Sequence, residues 1–500
     1  MSPKDPGGPE RPGRPGRGGE AGRRGKAEPP EDPRVVGPPP SGGSRVDRWF
    51  HISRRGSTVA REVRGGVTTF MAMAYILLLN PVLLSVPDRY GNRLETAEVI
   101  TATALAAAVT TVAMGVIGRA PLALAAGLGV SGVLATQVAP EVSWPQAMGM
   151  CVIYGSVIIL LVVTGMRERI MNAIPTALKH AITIGIGLFI AMVGLVNAGF
   201  VGLGEPGSPV TLGQGGRLTG WPVLAFCVTL LLIFMLLARG VPGALLIGIA
   251  AGTAFSTAAT AAFGIGGQEW GGAVPELPER LVSAPDFGLL GNVEIGGLAG
   301  LGVTGFTMIV FTLVLAGFFD AMATIIAVGH EAGLTDERER MPGLGRALLV
   351  DGAGGVVGGV ASASGQTVFI ESATGVGEGA RTGLSAVVTG LLFAAALLFT
   401  PLALIVPGQV ASAALVVIGA MMMQNSRYVD WTDRTTAIPV FLTVVLMPFT
   451  YSITTGIGAG VIAYTAVRTA VGRWREPGLL MWLLTAVFLV HFAVGGAGGA

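Results

Sequence analysis

Ser362–Gly383 reads SASGQTVFIESATGVGEGARTG, a short Gly-rich stretch that carries Gln366, Thr367, Glu371, Ser372, Thr374 and Glu378 between two apolar runs. Upstream, Val314–Gly329 (VLAGFFDAMATIIAVG) holds a single acid, Asp320, in an otherwise apolar pattern. A carboxylate at bilayer depth costs about 2.5–3.5 kcal/mol on insertion scales, and it persists where function uses it. The pair predicts a cavity with Asp320 and Glu371 facing each other across it.

Composition places that patch inside a membrane. Over 500 residues, 51% are apolar and 12% charged, against about 25% charged in soluble domains. Windows of about 20 apolar residues recur, the length needed to cross the hydrocarbon core. The chain therefore reads as an all-α polytopic membrane protein. Of its 32 Lys and Arg residues, 14 lie in Met1–Arg64. That basic tail lacks the recognition motifs of a nucleic-acid binder and reads as a cytoplasmic, positive-inside flank. Cys151 and Cys227 sit in apolar runs as small hydrophobes, and His51, His180, His330 and His491 show no ligand spacing, so neither a metal nor a cofactor is expected.

Residues 1–44 are rich in Pro, Gly and Arg and are expected to be disordered. Residues 45–65 mix aromatics with arginines, as an interfacial segment does. Apolar spans follow at 66–87, 97–118, 121–138, 145–165, 176–200, 221–239 and 241–263, closing a first unit at 66–263. A polar external loop covers 264–299. The second unit, 300–473, has spans at 300–329, 344–360, 363–379, 383–400, 408–426, 436–453 and 456–472. Residues 474–500 include an apolar stretch, Leu479–Val494, either interfacial or a fifteenth crossing. With the N-terminus inside, Arg and Lys concentrate in the predicted cytoplasmic loops, including Arg119, Arg239, Arg346, Arg427 and Arg434. This bias supports fourteen spans in a cell inner (plasma) membrane.

Halves of seven spans must be inverted relative to one another, an arrangement of secondary transporters whose site lies at the repeat interface. Segment three, APLALAAGLGVSGVLATQVAP (Ala120–Pro140), and segment ten, around Ser362–Gly383, are both short and Gly-rich. Such interrupted pairs point to the binding site. Gly127, Gly129, Gly132, Gly365 and Gly375 permit irregular backbone there, tolerated at this depth where it lines a cavity. An acid such as Glu371 accepts hydrogen bonds when ionised and carries a proton when neutral, which couples ligand and proton at one side chain. Thr324 lies one turn after Asp320 on the same helical face. Glu378 and Arg381 are expected to form a local salt bridge, and Asp351 is either scaffolding or part of a relay.

Five stretches carry a resemblance: EVRGGVTTFMAMAYILLLNP (Glu62–Pro81), AIPTALKHAITIGIGLFIAMVGLVNAG (Ala173–Gly199), FFDAMATIIAVGHEAGL (Phe318–Leu334), VFIESATGVGEGARTGL (Val368–Leu384) and AIPVFLTVVLMPFTYSITTGIGAG (Ala437–Gly460). Together, in order from Glu62 to Arg473, the chain resembles the nucleobase:cation symporter-2 family, in its adenine/guanine/hypoxanthine permease (AzgA-like) branch. The resemblance implies a 7+7 inverted repeat with spans 1–4 and 8–11 as a core and 5–7 and 12–14 as a gate. It implies short strands in segments three and ten. Asp320 and Glu371 match the acids that bind the nucleobase and couple the proton, Thr324 matches a site position, and the backbone near Ala126 and Gly127 would contact the base. Ser131 stands where that branch usually has asparagine in a G-x-N pattern, which bears on the choice of purine.

The function implied is import of adenine, guanine or hypoxanthine by proton symport with alternating access, in a lipid bilayer and without a nucleic-acid partner. A homodimer remains open. The alternatives are a carrier of xanthine or uracil and an anion transporter of the same 7+7 fold. The anion reading meets two acids and no basic residue in the middle of a span. An enzyme is not expected: an intramembrane aspartyl protease needs paired aspartates, and here one partner is Glu.

Overall fold

The computed structural model describes residues 44–166, 174–203, 210–213, 216–270, 274–276, 280–298, 302–334, 341 and 343–497. The expected disordered tail, up to residue 43, lies outside them. Fourteen segments follow the chain. The first seven are Val59–Leu83, Thr96–Gly118, a strand Leu124–Ala126 leading into Leu128–Val138, then Trp144–Val163, Thr176–Asn197, Trp221–Ala238 and Ala244–Phe263. The second seven are Gly302–Glu331, Leu344–Val360, a strand Gln366–Val368 leading into Ser372–Gly377, then Gly383–Leu404, Gly408–Tyr428, Arg434–Phe449 and Ile453–Ala470. Among the described residues, segments one, two, four to seven, eleven and twelve are long and apolar enough to cross a membrane as single helices.

The halves are inverted copies, and their packing shows it. When each segment is exchanged with the one seven places away, neighbours map onto neighbours. Segment two packs on eleven as nine packs on four, six on twelve as thirteen on five, and six on seven as thirteen on fourteen. Three pairs with ten, and five with twelve, so each of these pairs maps onto itself. The most extensive packing falls into two bundles, one of segments one to four with eight to eleven, the other of five to seven with twelve to fourteen.

Lipid tails offer helices no hydrophobic drive to associate, so the interfaces depend on close van der Waals contact through small residues. Segments four and nine meet glycine on glycine. A Cβ on Gly155 would lie 2.6 Å from the Val356 nitrogen, and one on Gly355 would lie 2.8 Å from the Gly155 Cα. This explains the run DGAGGVVGGV at Asp351–Val360.

Two boundaries differ from expectation. The first span begins at Val59, seven residues early, because Thr58 caps the helix by accepting the Arg61 N–H (3.3 Å). The preceding basic stretch is a helix at Arg45–Phe50 and a short 3₁₀ turn at Ser53–Arg55, separated by His51 in the left-handed region (φ 57°). At the other end, Leu479–Ala497 is a 19-residue helix, about 28 Å long at 1.5 Å per residue. It lies along segment fourteen, with the Thr485 hydroxyl donating to Thr465 Oγ1 (2.9 Å) and Phe488 set edge-on to Phe311.

Candidate substrate cavity

Segments three and ten each run as strand, turn and half-helix because neither sequence can sustain a whole span. Their strands pair antiparallel, Leu124 with Val368, Ala125 with Thr367 and Ala126 with Gln366. The ladder continues through Gly127 N–H to the Gly365 carbonyl (2.9 Å) and Phe369 N–H to the Ala123 carbonyl (3.0 Å). Backbone groups that a membrane leaves without water are thereby satisfied. Side chains fix the crossing. Thr111 donates to the Leu124 carbonyl (2.8 Å) and accepts its N–H (2.9 Å), Ser372 accepts the Ala123 N–H (3.0 Å), and buried Asp351 accepts the Val368 N–H (3.3 Å). Asp351 thus holds the strand of segment ten.

Beside the crossing lies a cavity of about 480 Å³ between the two bundles. One wall comes from segments one, three, eight and ten, with Tyr75, Gly127, Thr324, Thr367 and Glu371. The other comes from segments five and twelve, with His180, Thr183, Asn425, Arg427 and Tyr428. Glu371 is the N-cap residue of its half-helix. Its carbonyl accepts both the N–H and the hydroxyl of Thr374 (2.9 and 2.7 Å), while its side chain accepts the hydroxyl of Tyr75. One carboxylate oxygen is thereby engaged by protein.

The expected site residues divide. Glu371, Thr324 and Gly127 share the cavity wall. Ala126 is fully buried in its strand, behind that wall. Ser131 is also fully buried and belongs to a network beside the cavity, donating to Asn80 Oδ1 (2.8 Å) and meeting Ser364 Oγ at 2.9 Å. Asn80 in turn donates to Thr103 (2.8 Å) and to the Ala363 carbonyl (3.1 Å). Asp320 is on the Gly302–Glu331 helix one turn before Thr324, and its side chain lies outside the described residues.

Other wall residues were not singled out from the sequence. Tyr75 looked like one more apolar position of segment one. In the sequence His180 is isolated from the other histidines, and Arg427 falls in a loop after the predicted span 408–426. A 3₁₀ stretch, Met423–Tyr428, prolongs segment twelve and turns its end into the cavity. There the Tyr428 ring stacks on His180 at 5.2 Å, while Arg427 lies 4.7 Å over that ring and donates to the Tyr428 hydroxyl (2.6 Å). A basic residue thus does reach the cavity. The run QNSRY after an apolar stretch was the available signal.

Beyond Ile190 and Ala316 the cavity ends in polar contacts between the bundles. Gln137 accepts from Thr454 and from Ser452 (3.4 Å), and Thr454 shares a hydrogen bond with Thr312 (2.8 Å). Phe189 packs on Tyr451 beside them. Toward the opposite rim, Glu378 pairs with Arg64 (2.8 Å), not with Arg381 as expected. Arg381 instead donates to the carbonyls of Val376 and Ala380 (2.7 Å each), where the half-helix ends and carbonyls lack partners. The Glu62 carboxylate accepts the N–H groups of Arg381 (2.8 Å) and Thr382 (3.2 Å). Among the described residues no cluster of His, Cys, Asp and Glu suits a metal ion.

Comparison with known proteins agrees with this architecture. The transmembrane domain of the cyanobacterial bicarbonate transporter BicA superposes with a TM-score of 0.59 at 17% identity, covering 80% of this chain and 97% of that one. At that identity the likeness concerns the fold. The adenine permease AdeP of Escherichia coli K12 is 35% identical over 452 residues, 90% of this chain and 96% of its own. The guanine/hypoxanthine permease PbuG of Bacillus subtilis 168 is 37% identical over 454 residues, 89% of this chain and 98% of its own. The Xan_ur_permease family, described as a permease family, matches residues 60–459. With fourteen inverted-repeat segments around a central cavity, the chain belongs to this permease family and is a membrane transporter, not an enzyme.

Proposed function

We propose that the chain imports the purine nucleobases adenine, guanine and hypoxanthine by proton symport. The observation that carries this is Glu371 on the wall of a cavity of about 480 Å³, its carboxylate oriented by Tyr75 as an acceptor for a ligand N–H. A purine needs such an acceptor, a flat slot and in-plane polar groups. Gly127 supplies the close backbone approach, and Thr324 a hydroxyl. The names of AdeP and PbuG support adenine, guanine and hypoxanthine over xanthine or uracil. Glu371 and Asp320 are the residues proposed to bind the base and take the proton, with Ser131 acting indirectly through Asn80 and Ser364. A carboxyl group that is neutral with its proton and charged without it links the two cargoes.

The two bundles act as core (segments one to four and eight to eleven) and gate (five to seven and twelve to fourteen) in alternating access. The cavity reaches Arg427 and Tyr428, at the end of segment twelve that this reading assigns to the cytoplasmic side by positive charge, which supports an inward-facing state. Residence in the inner membrane with a cytoplasmic N-terminus, and assembly as a homodimer, belong to the same reading. Arg427 on the wall is a feature that favours an anion carrier. Its contacts with Tyr428 and the central position of Glu371 weigh against it.

Uptake of radiolabelled adenine, guanine and hypoxanthine in a purine-transport-deficient bacterium, with and without a protonophore, tests the proposal. Uptake abolished by the protonophore is expected. Membrane-inserted protein that moves none of the three sinks it, and protonophore-resistant uptake removes the proton.

A further inference from the structure

A residue of the cavity wall holds a buried hydrogen-bonding group without a partner. Thr367, in the strand of segment ten, lines the cavity, is 2% exposed, and its hydroxyl makes no hydrogen bond. Buried polar groups are nearly always paired, and one left unpaired costs about as much as a lost hydrogen bond. Two other hydroxyls of the wall are already engaged by protein. Tyr75 donates to Glu371, and Thr183 lies 3.4 Å from the Lys179 carbonyl of its own helix. Gly127 sits against the Thr367 methyl, and a Cβ there would come within 2.7 Å of it. Glycine at that position makes room for the Thr367 side chain against the strand.

Resting on the purine reading, we propose that the Thr367 hydroxyl recognises the exocyclic group at purine position 6. All three proposed substrates carry such a group, but its polarity reverses: an amino donor in adenine, a carbonyl acceptor in guanine and hypoxanthine. An ionised carboxylate only accepts, and an ammonium only donates. A hydroxyl does both by rotating its hydrogen, so one threonine serves both kinds of base without rearranging the site. In the structure the Thr367 methyl faces Gly127 and the hydroxyl is enclosed beside it, so recognition requires a turn about the Cα–Cβ bond that exchanges the two.

The test combines protein and ligand changes. Thr367→Val removes the hydroxyl at constant shape, and Thr367→Ser keeps it. Apparent affinities of adenine and hypoxanthine are measured by competition against labelled guanine uptake, alongside unsubstituted purine, which lacks the 6-substituent. The expected result is roughly a tenfold loss for adenine and hypoxanthine in Thr367→Val, the size of one neutral hydrogen bond. Unsubstituted purine should be unaffected and Thr367→Ser close to wild type. Equal affinities in Thr367→Val, or an equal loss for all three ligands, overturns the assignment and leaves Thr367 a structural residue. If the wild type transports no purine, the functional reading fails first, and that outcome is distinct from either.

Discussion

Segments three and ten occupy equivalent places in the inverted repeat and share one backbone plan, yet they bring different chemistry to the cavity. Each supplies a three-residue strand and a half-helix of six residues, Leu128–Val133 and Ser372–Gly377, before continuing or turning away. The N-cap residue is Gly127 in one and Glu371 in the other. Segment three provides slender backbone, and its hydroxyl at Ser131 faces a buried network. Segment ten provides the carboxylate and the Thr367 hydroxyl. The repeat thus builds a symmetric cradle, while the side chains proposed to meet the ligand are concentrated on one of its halves.

Glu371→Gln tests that asymmetry most severely. The amide oxygen still accepts from Tyr75, so folding and membrane insertion should persist. The charged acceptor and the proton site are lost. A hydrogen bond to a charged group is worth about 1.5–3 kcal/mol, so purine uptake should fall roughly 100-fold, more if coupling is also lost. Uptake assays on equal amounts of inserted protein decide this. Normal transport by the variant would move the chemistry elsewhere on the wall.

The slender half of the cradle is tested by Gly127→Ala. Gly127 has φ −68° and ψ 115°, a conformation open to any residue, so the expected defect is purely one of space. The new Cβ meets the Thr367 methyl at 2.7 Å, and overpacking of this kind costs about 1–3 kcal/mol. Uptake should drop roughly tenfold. Adding Thr367→Ser removes the obstructing methyl, keeps the hydroxyl, and should restore most of the loss. Failure of the double variant to recover would show that Gly127 is needed for something other than clearance.

How far the sequence reveals this cradle differs between its halves for a physical reason. The fourteen apolar runs and the polar break at Ser362–Gly383 are read directly, because bilayer insertion penalises every misplaced charge. Glu371 stands out for that reason. Tyr75 does not, since a tyrosine in an apolar helix has the same signature whether it packs or binds. Arg427 reaches the cavity because a 3₁₀ turn extends segment twelve and sets Tyr428 against His180 of segment five, and no periodicity reports where such a turn points. The Glu378–Arg381 pairing failed because proximity in sequence says nothing about the carbonyls exposed at a helix end, which take Arg381, or about Arg64 arriving from segment one.

Ser131 gives the finest test, with the smallest expected effect on transport. Its resemblance-based role is to replace an asparagine that touches the base, and in that role Ser131→Asn alters the ranking of purines. Its observed place is off the wall, linking Asn80 to Ser364. Ser364 is a non-glycine residue in the left-handed region (φ 66°), so the network also braces a strained turn just before the strand of segment ten. Ser131→Ala should therefore leave Asn80 Oδ1 short of a donor and cost about 1–3 kcal/mol of stability, seen as earlier thermal unfolding in detergent. Ser131→Asn should likewise lower stability by forcing a longer side chain into a fully buried site. In both variants the order in which adenine, guanine and hypoxanthine compete for uptake should stay as in the wild type. A changed order would bring Ser131 back to the ligand and give segment three a share of the chemistry that its partner otherwise holds alone.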